Sequence, residues 1–121
     1  MKFESYLASH AARMGPKDAV VCGGQRLSFR ELEDSTNRMA HALRAAGVQV
    51  GDRMAVNLPN GIAFVRAYIA AVKAGALAVP VNLPLSAPEI THILSDCTPR
   101  AVFIGEDTQA VMVDDRRLAM D

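Results

Sequence analysis

The chain has 121 residues, half of them hydrophobic and 21% charged, enough for one domain with a real core and typical of a soluble globular protein. Lys+Arg and Asp+Glu balance at 13 each, so the basic excess of a nucleic-acid binder is missing. No signal-like apolar core follows Met1-Lys2-Phe3-Glu4, and the most apolar region, Ala67 to Val81, is interrupted by Lys73, Gly75 and Pro80 and falls short of the ~20 residues of a membrane span. These features read as a soluble protein of the cytoplasm. Cys22 and Cys97 show no CxxC spacing and read as buried free thiols in a reducing compartment.

Phe3, Leu7, Ala11 and Met14 recur at helical spacing, and Gly15-Pro16 ends that helix. Ala19 to Cys22, Gly23-Gly24 and Gln25 to Leu27 read as a β-hairpin, because paired glycines suit a tight primed turn. A phosphate cradle at Gly23-Gly24 would need a strand-to-helix GxGxxG, which does not surround it. Ser28-Phe29-Arg30-Glu31 has the form of a capping box and opens a long helix striped by Phe29, Leu32, Thr36, Met39, Leu43 and Ala46 and stopped at Gly47. Glu31, Glu33 and Asp34 sit in its first turns, where acids favour the helix dipole, and His41 lies at the boundary of its stripe.

Gly51-Asp52 turns into a strand over 53–58, ended by Pro59-Asn60-Gly61. The helix at about 61–74 carries Ile62, Phe64, Val65, Tyr68, Ile69 and Val72 around most of its circumference, which implies burial against more than one neighbour. Lys73 falls in its last turn, as a cation should, and Gly75 falls where a left-handed residue must stop it. Leu77 to Val81 reads as a strand covered on both faces, with Pro80 marking an end or an edge. Ser86-Ala87-Pro88-Glu89 is a second helix start, with Ile90, Ile93, Leu94 and Cys97 on the apolar side and His92 facing elsewhere, as a solvent-exposed or boundary residue. Ala101 to Ile104 is a third apolar run. The fold class is therefore α/β: a layered, mostly parallel sheet (strand-helix-strand-helix-strand, about 53–104) preceded by a helix, a β-hairpin and a long helix. Glu106 to Asp121 is compatible with a packed helix or with a break inside a longer protein, and the break is favoured.

Several stretches, in order, resemble the amino-terminal part of the adenylate-forming (AMP-binding) superfamily of acyl- and aryl-CoA synthetases, adenylation domains and luciferases. Leu27-Ser28-Phe29-Arg30-Glu31-Leu32 is similar to its first core motif, L-[TS]-[YF]-x-E-L, and Asn37 to Leu43 to the continuation N-R-[LM]-A-x-A-L. Gly51 to Val56 resembles G-D-R-V-A-[VI], Leu58-Pro59-Asn60 resembles L-P-N, and Val72 to Pro80 resembles L-K-A-G-A-x-x-V-P. Ile93-Leu94-Ser95-Asp96 falls where the family has I-L-x-D.

The resemblance implies an enzyme that activates a carboxylate with ATP and Mg²⁺ to an acyl-adenylate and passes it to a thiol, usually that of coenzyme A, as fatty-acid-CoA ligases do. The family's phosphate loop, adenine motif, ribose-binding aspartate and catalytic lysine lie downstream of these motifs and are absent here, so no catalytic, cofactor-binding or metal residue is assigned to residues 1–121. ATP, Mg and CoA are implied for the full-length family and are not expected to bind this segment well. Where many CoA-ligase relatives read N-P-R-L, this chain reads Asn82-Leu83-Pro84-Leu85, and Pro84 cannot offer charge to a CoA phosphate.

The expectation is a single domain, 1–121, forming the first part of the large N-terminal domain of such a ligase and inactive in isolation. Its partner would be the remainder of the ligase chain, with an exposed sheet edge or apolar face open to self-association. A stand-alone, non-catalytic docking module is the alternative. An unrelated nucleotide-binding α/β domain would need a Gly-rich strand-to-helix turn, and neither Leu58 to Gly61 nor Asn82 to Pro88 supplies one.

Overall fold

The computed structural model describes residues 3–58, 61–80, 88–89, 92, 95–96, 99–104, 110–113 and 116–119. Helix α1 (Phe3–Met14) leads into a hairpin of β1 (Asp18–Cys22) and β2 (Gln25–Ser28), and then into the long helix α2 (Phe29–Ala45). The hairpin pairs Val21 with Arg26 and Cys22 with Gln25, which places Gly23-Gly24 at its tip as expected. Ser28 caps α2 in the reciprocal way the sequence implies. Its hydroxyl accepts from the Glu31 amide at 3.1 Å, and its own amide donates to the Glu31 carboxylate at 3.2 Å.

Strand β3 (Arg53–Asn57), helix α3 (Ile62–Lys73) and strand β4 (Leu77–Pro80) follow, then β5 (Ala101–Ile104), β6 (Ala110–Val113) and β7 (Arg116–Ala119). The sheet order is β4-β3-β5-β6-β7. Strand β3 runs parallel to both β4 and β5, the arrangement expected from alternating strands and helices. Beyond residue 104 the sheet continues antiparallel through β6 and β7. Residues 110–113 and 116–119 are strands, not parts of a packed helix. The register Val113↔Arg116 leaves two residues between these strands, so Val111-Met112-Val113 belongs to a hairpin. Of the helix expected from Ser86, residues 88, 89, 92, 95 and 96 are helical, while the capping box and the apolar side Ile90, Ile93, Leu94 and Cys97 lie outside the described residues.

The main core joins Met39, Leu43 and Val48 to Met54 and Val56 of β3 and to Ala67, Ala70, Ala71 and Ala74 of α3. A second cluster, Leu7, Leu32 and Ile69, seats α1 and the hairpin on α2 and α3. Helix α3 does pack against several neighbours: α1, α2, β1, β3 and β4. Its deepest face is nevertheless made of alanines rather than of the large residues that suggested its burial, and Tyr68 is 40% exposed. Small side chains let two helices and a sheet approach closely, so the bulky ones are displaced to the flanks. Strand β4 departs from expectation in the same sense. It is the edge of the sheet among the described residues and Leu77 is 57% exposed, so it is not covered on both faces. Pro80 is the last described residue of β4, and Val81, the expected end of the strand, lies outside the described residues.

One polar contact fixes α3 against α2. The Lys73 side chain is 7% exposed and its ammonium donates to the Glu33 carboxylate, to Thr36 Oγ1 at 2.8 Å and to Asn37 Oδ1 at 2.8 Å. The Glu33 carbonyl lies at 3.2 Å from the same nitrogen. Thr36, itself fully buried, passes its own hydroxyl proton to the Leu32 carbonyl at 2.6 Å. The ammonium's three donors are thus all used. Both residues had a simpler expected role near a helix end, in the helix dipole. Glu33 and Lys73 instead form an ion pair between helices, because the i, i+3, i+4 spacing of Glu33, Thr36 and Asn37 puts three acceptors on one face of α2.

The turn after α3 is equally constrained. Gly75 has φ +83°, and the Gly51 amide donates to its carbonyl at 2.9 Å. The Leu77 amide donates to Asp52 O at 2.8 Å, and the Asp52 carboxylate accepts from Gln49 N at 2.7 Å. A Cβ built on Gly75 would stand 2.8 Å from Val50 Cγ2.

Two stability outcomes follow from this geometry. Lys73→Met strands the largely buried Glu33 carboxylate and should cost on the order of 3 kcal/mol, with most of the loss recovered in the Lys73→Met/Glu33→Gln double variant. Urea unfolding of the two singles and the double checks it, and a single-variant cost below about 0.5 kcal/mol contradicts the buried-pair account. Gly75→Ala should cost about 1–2 kcal/mol through its left-handed backbone, since the exposed Val50 side chain can swing aside. Gly24→Ala, where no atom lies within 4 Å of the added Cβ, should stay within about 0.5 kcal/mol of the parent; thermal melts of the two alanine variants would separate them.

Candidate functional site

Several residues that carry the sequence motifs meet at the contact of α2 with α3 and at the turn after α3, and their work there is structural. Asn37 and Glu33 of α2 meet Lys73 of α3, while Gly51-Asp52 meets the Gly75 turn. Arg100 adds a further brace, 3.6 Å from the Asp52 carboxylate, at the start of β5. Each of these groups is engaged by another part of the chain.

The remaining chemistry-bearing residues are scattered. His41 is exposed on α2, and the exposed His92 lies 3.5 Å from Asp96 one helical turn on. Glu31 serves the cap and Asp34 faces solvent. Among the described residues no group of three or more His, Cys, Asp or Glu side chains could hold a metal ion. Gly23-Gly24 opens to solvent with nothing within 4 Å of either added Cβ, a hairpin tip rather than a cradle. Cys22 corrects the expectation of a buried thiol. It is free and exposed because it lies at the outer end of β1, with its sulfur near the Gly61 turn. Cys97 and the Asn82-Leu83-Pro84-Leu85 departure lie outside the described residues.

One feature went unnoticed in the sequence. Arg66 of α3 is half-buried, its Nε has no hydrogen-bond partner among the described residues, and the exposed Arg38 of α2 is its charged neighbour. Burial, and next the charge of Arg38, pull the Arg66 guanidinium below its ordinary pKa. Arg38 stands inside the N-R-M-A stretch and Arg66 in none of the motifs. An open cleft of about 430 Å³ is lined elsewhere by Ala11, Arg13, Gly15, Ser28 and Arg30, where Arg30 donates to the Ala11 carbonyl at 3.3 Å. No carboxylate or thiol lines it.

Comparison with known proteins agrees with the motifs and the fold. The AMP-binding enzyme family matches residues 7–120. A fatty acid–acyl-carrier-protein ligase of Streptomyces coeruleorubidus is 38% identical over 98 residues, covering 81% of this chain and 19% of that protein. A feruloyl-CoA synthase of an Amycolatopsis species is 45% identical over 86 residues, 70% of this chain and 18% of that protein. The inhibitor-bound crystal structure of the N-terminal domain of FACL13 from Mycobacterium tuberculosis superposes with a TM-score of 0.76 at 35% identity, covering 84% of this chain and 26% of that one. The chain thus spans under a fifth of the length of these two curated relatives. No helix among the described residues is long and apolar enough to cross a membrane. With the capping-box helix, the Lys73 contact and the Gly75 turn all in place, the chain belongs to the AMP-binding enzyme family and corresponds to the N-terminal segment of its acyl-CoA-ligase-like members.

Proposed function

We propose that residues 1–121 form the first part of the large N-terminal domain of an acid–thiol ligase, and that the segment is a scaffold without activity of its own. The observation that carries this reading is the use of the motif residues. Asn37, Gly51, Asp52, Lys73 and Gly75, with Glu33 and Thr36 from between two motifs, are taken up in contacts within the fold. The full-length enzyme would convert a carboxylate to its acyl-adenylate with ATP and Mg²⁺ and deliver the acyl group to a thiol of CoA or a carrier protein.

The described residues do not fit these cofactors. The one glycine pair at a turn is a solvent-facing hairpin tip, and no acidic cluster suits a metal. ATP, Mg²⁺ and CoA are therefore assigned to the rest of the ligase. That remainder is the partner this segment requires, and the exposed edge strand β4 with Leu77 supports the assignment, since an uncovered parallel edge is a template for further pairing. In its absence the same edge, together with Val50 at 76% exposure, offers a contact between copies. The cytoplasm is the proposed compartment, where an exposed free thiol such as Cys22 stays reduced.

ATP–pyrophosphate exchange with a panel of aliphatic and aromatic carboxylic acids tests the scaffold reading. The 121-residue chain should remain at background, and robust exchange by it alone overturns the reading. The coding DNA supplies the second readout: an open frame running into a Ser/Thr/Gly-rich phosphate loop supports the ligase parent, whereas a stop codon after Asp121 would replace it with the stand-alone docking module.

A further inference from the structure

The open cleft of about 430 Å³ takes no part in the contacts around Lys73 and Gly75. The end of α1 lines it with Ala11 and Arg13, the start of α2 lines it with the cap Ser28 and with Arg30, and Gly15 lies between them in the chain. Donors and acceptors are unequally used here. The Ala11 carbonyl already accepts from the Arg30 guanidinium at 3.3 Å, the Gly15 carbonyl from the Arg30 amide at 3.0 Å, and Ser28 Oγ from the Glu31 amide at 3.1 Å. The donors are in surplus. One bond leaves most of the Arg30 fork open, Arg13 brings a second fork, and the Ser28 hydroxyl still has its proton to give.

No acid offsets this charge. No carboxylate lines the cleft, and of the acids near it in the chain Asp18 holds Arg26 at 2.6 Å while Glu31 serves the helix cap. Gly15 is buried, and a Cβ on it would stand 2.9 Å from the Ala11 oxygen and 3.6 Å from Arg30 Nε, so a bare backbone keeps room beside the guanidinium. We propose that this cleft is a binding site for a phosphate group, held between Arg13 and Arg30 with Ser28 donating. Both arginines are exposed, so an anion meets them directly from solvent. The bond to Ala11 holds one fork in place before the ligand arrives, which lowers the ordering cost of binding. Donors from three separate side chains suit the tetrahedral oxygens of phosphate better than the planar pair of a carboxylate. The site is complete within residues 11–30 and does not depend on the ligase reading.

The test is a titration of the full chain with inorganic phosphate at constant ionic strength, following the arginine Nε–Hε resonances by NMR. The Arg13 and Arg30 resonances should move saturably, while that of Arg26, already paired with Asp18, should not. Acetate in place of phosphate should bind about tenfold more weakly or worse. Arg13→Gln, a change at an exposed position, should weaken phosphate binding, read at Arg30, by about tenfold. Arg30→Gln, read at Arg13, should do the same, and Arg13→Gln keeps the test decisive if loss of the bond to Ala11 disturbs the fold. No saturable shift, an equal shift at Arg26, acetate binding as tight as phosphate, or unchanged binding by Arg13→Gln overturns the site.

Discussion

A single buried ammonium sets the geometry of this fold. Removing a lysine charge from water is costly unless its donors are all matched, and Lys73 finds its matches only at one rotation and one height of α3 against α2. Glu33, Thr36 and Asn37 lie on one face of α2 because they are spaced by three and four residues, and the ammonium stands over that face. The alanine face of α3 is the complement of this contact. Ala67, Ala70, Ala71 and Ala74 carry too little bulk to hold the helix away from its neighbours, so a short polar bridge can span the gap.

From Lys73 the constraint passes directly into the sheet. Two residues later the chain must reverse at Gly75, and the reversal is held by backbone bonds to the Gly51-Asp52 turn that precedes β3. Those bonds place Leu77 opposite Arg53 and so fix the parallel register of β4 on β3. The register in turn gives β3 one of its two parallel neighbours, and Met54, Ala55 and Val56 are wholly buried. One ion pair, one glycine and one aspartate thus link the long helix to the sheet. A contact between residues 33 and 73 governs pairing at residue 77.

Local signals in the sequence marked most of these elements. The capping box at Ser28, the Gly-Gly hairpin tip, the helix stops at Gly47 and Gly75 and the parallel β3–β5 core each rest on interactions within a few residues, and each stands in the structure. What could not be read depends on distant partners. Leu77 belongs to an apolar run, yet whether a strand is central or an edge depends on what lies beside it. Residues 110–119 lack strong alternation, and Arg116-Arg117 suggests a polar end, yet pairing of Val111 with Phe103 recruits the segment into the sheet. Glu33 and Lys73 each had a sufficient local explanation in the helix dipole, which concealed their contact across 40 positions. Arg66 had no motif at all.

The two cations of α3 are treated differently by the same helix pair. Where α2 supplies a carboxylate, a hydroxyl and an amide oxygen, the cation is consumed in holding the helices together and nothing remains for a ligand. Where α2 supplies Arg38 in place of an acceptor, the same interface is left with excess positive charge and an unmatched donor. The interface tolerates that excess because Lys73, two turns away, has already fixed the helices in place. The family motifs thus report the cation whose chemistry is finished inside the fold.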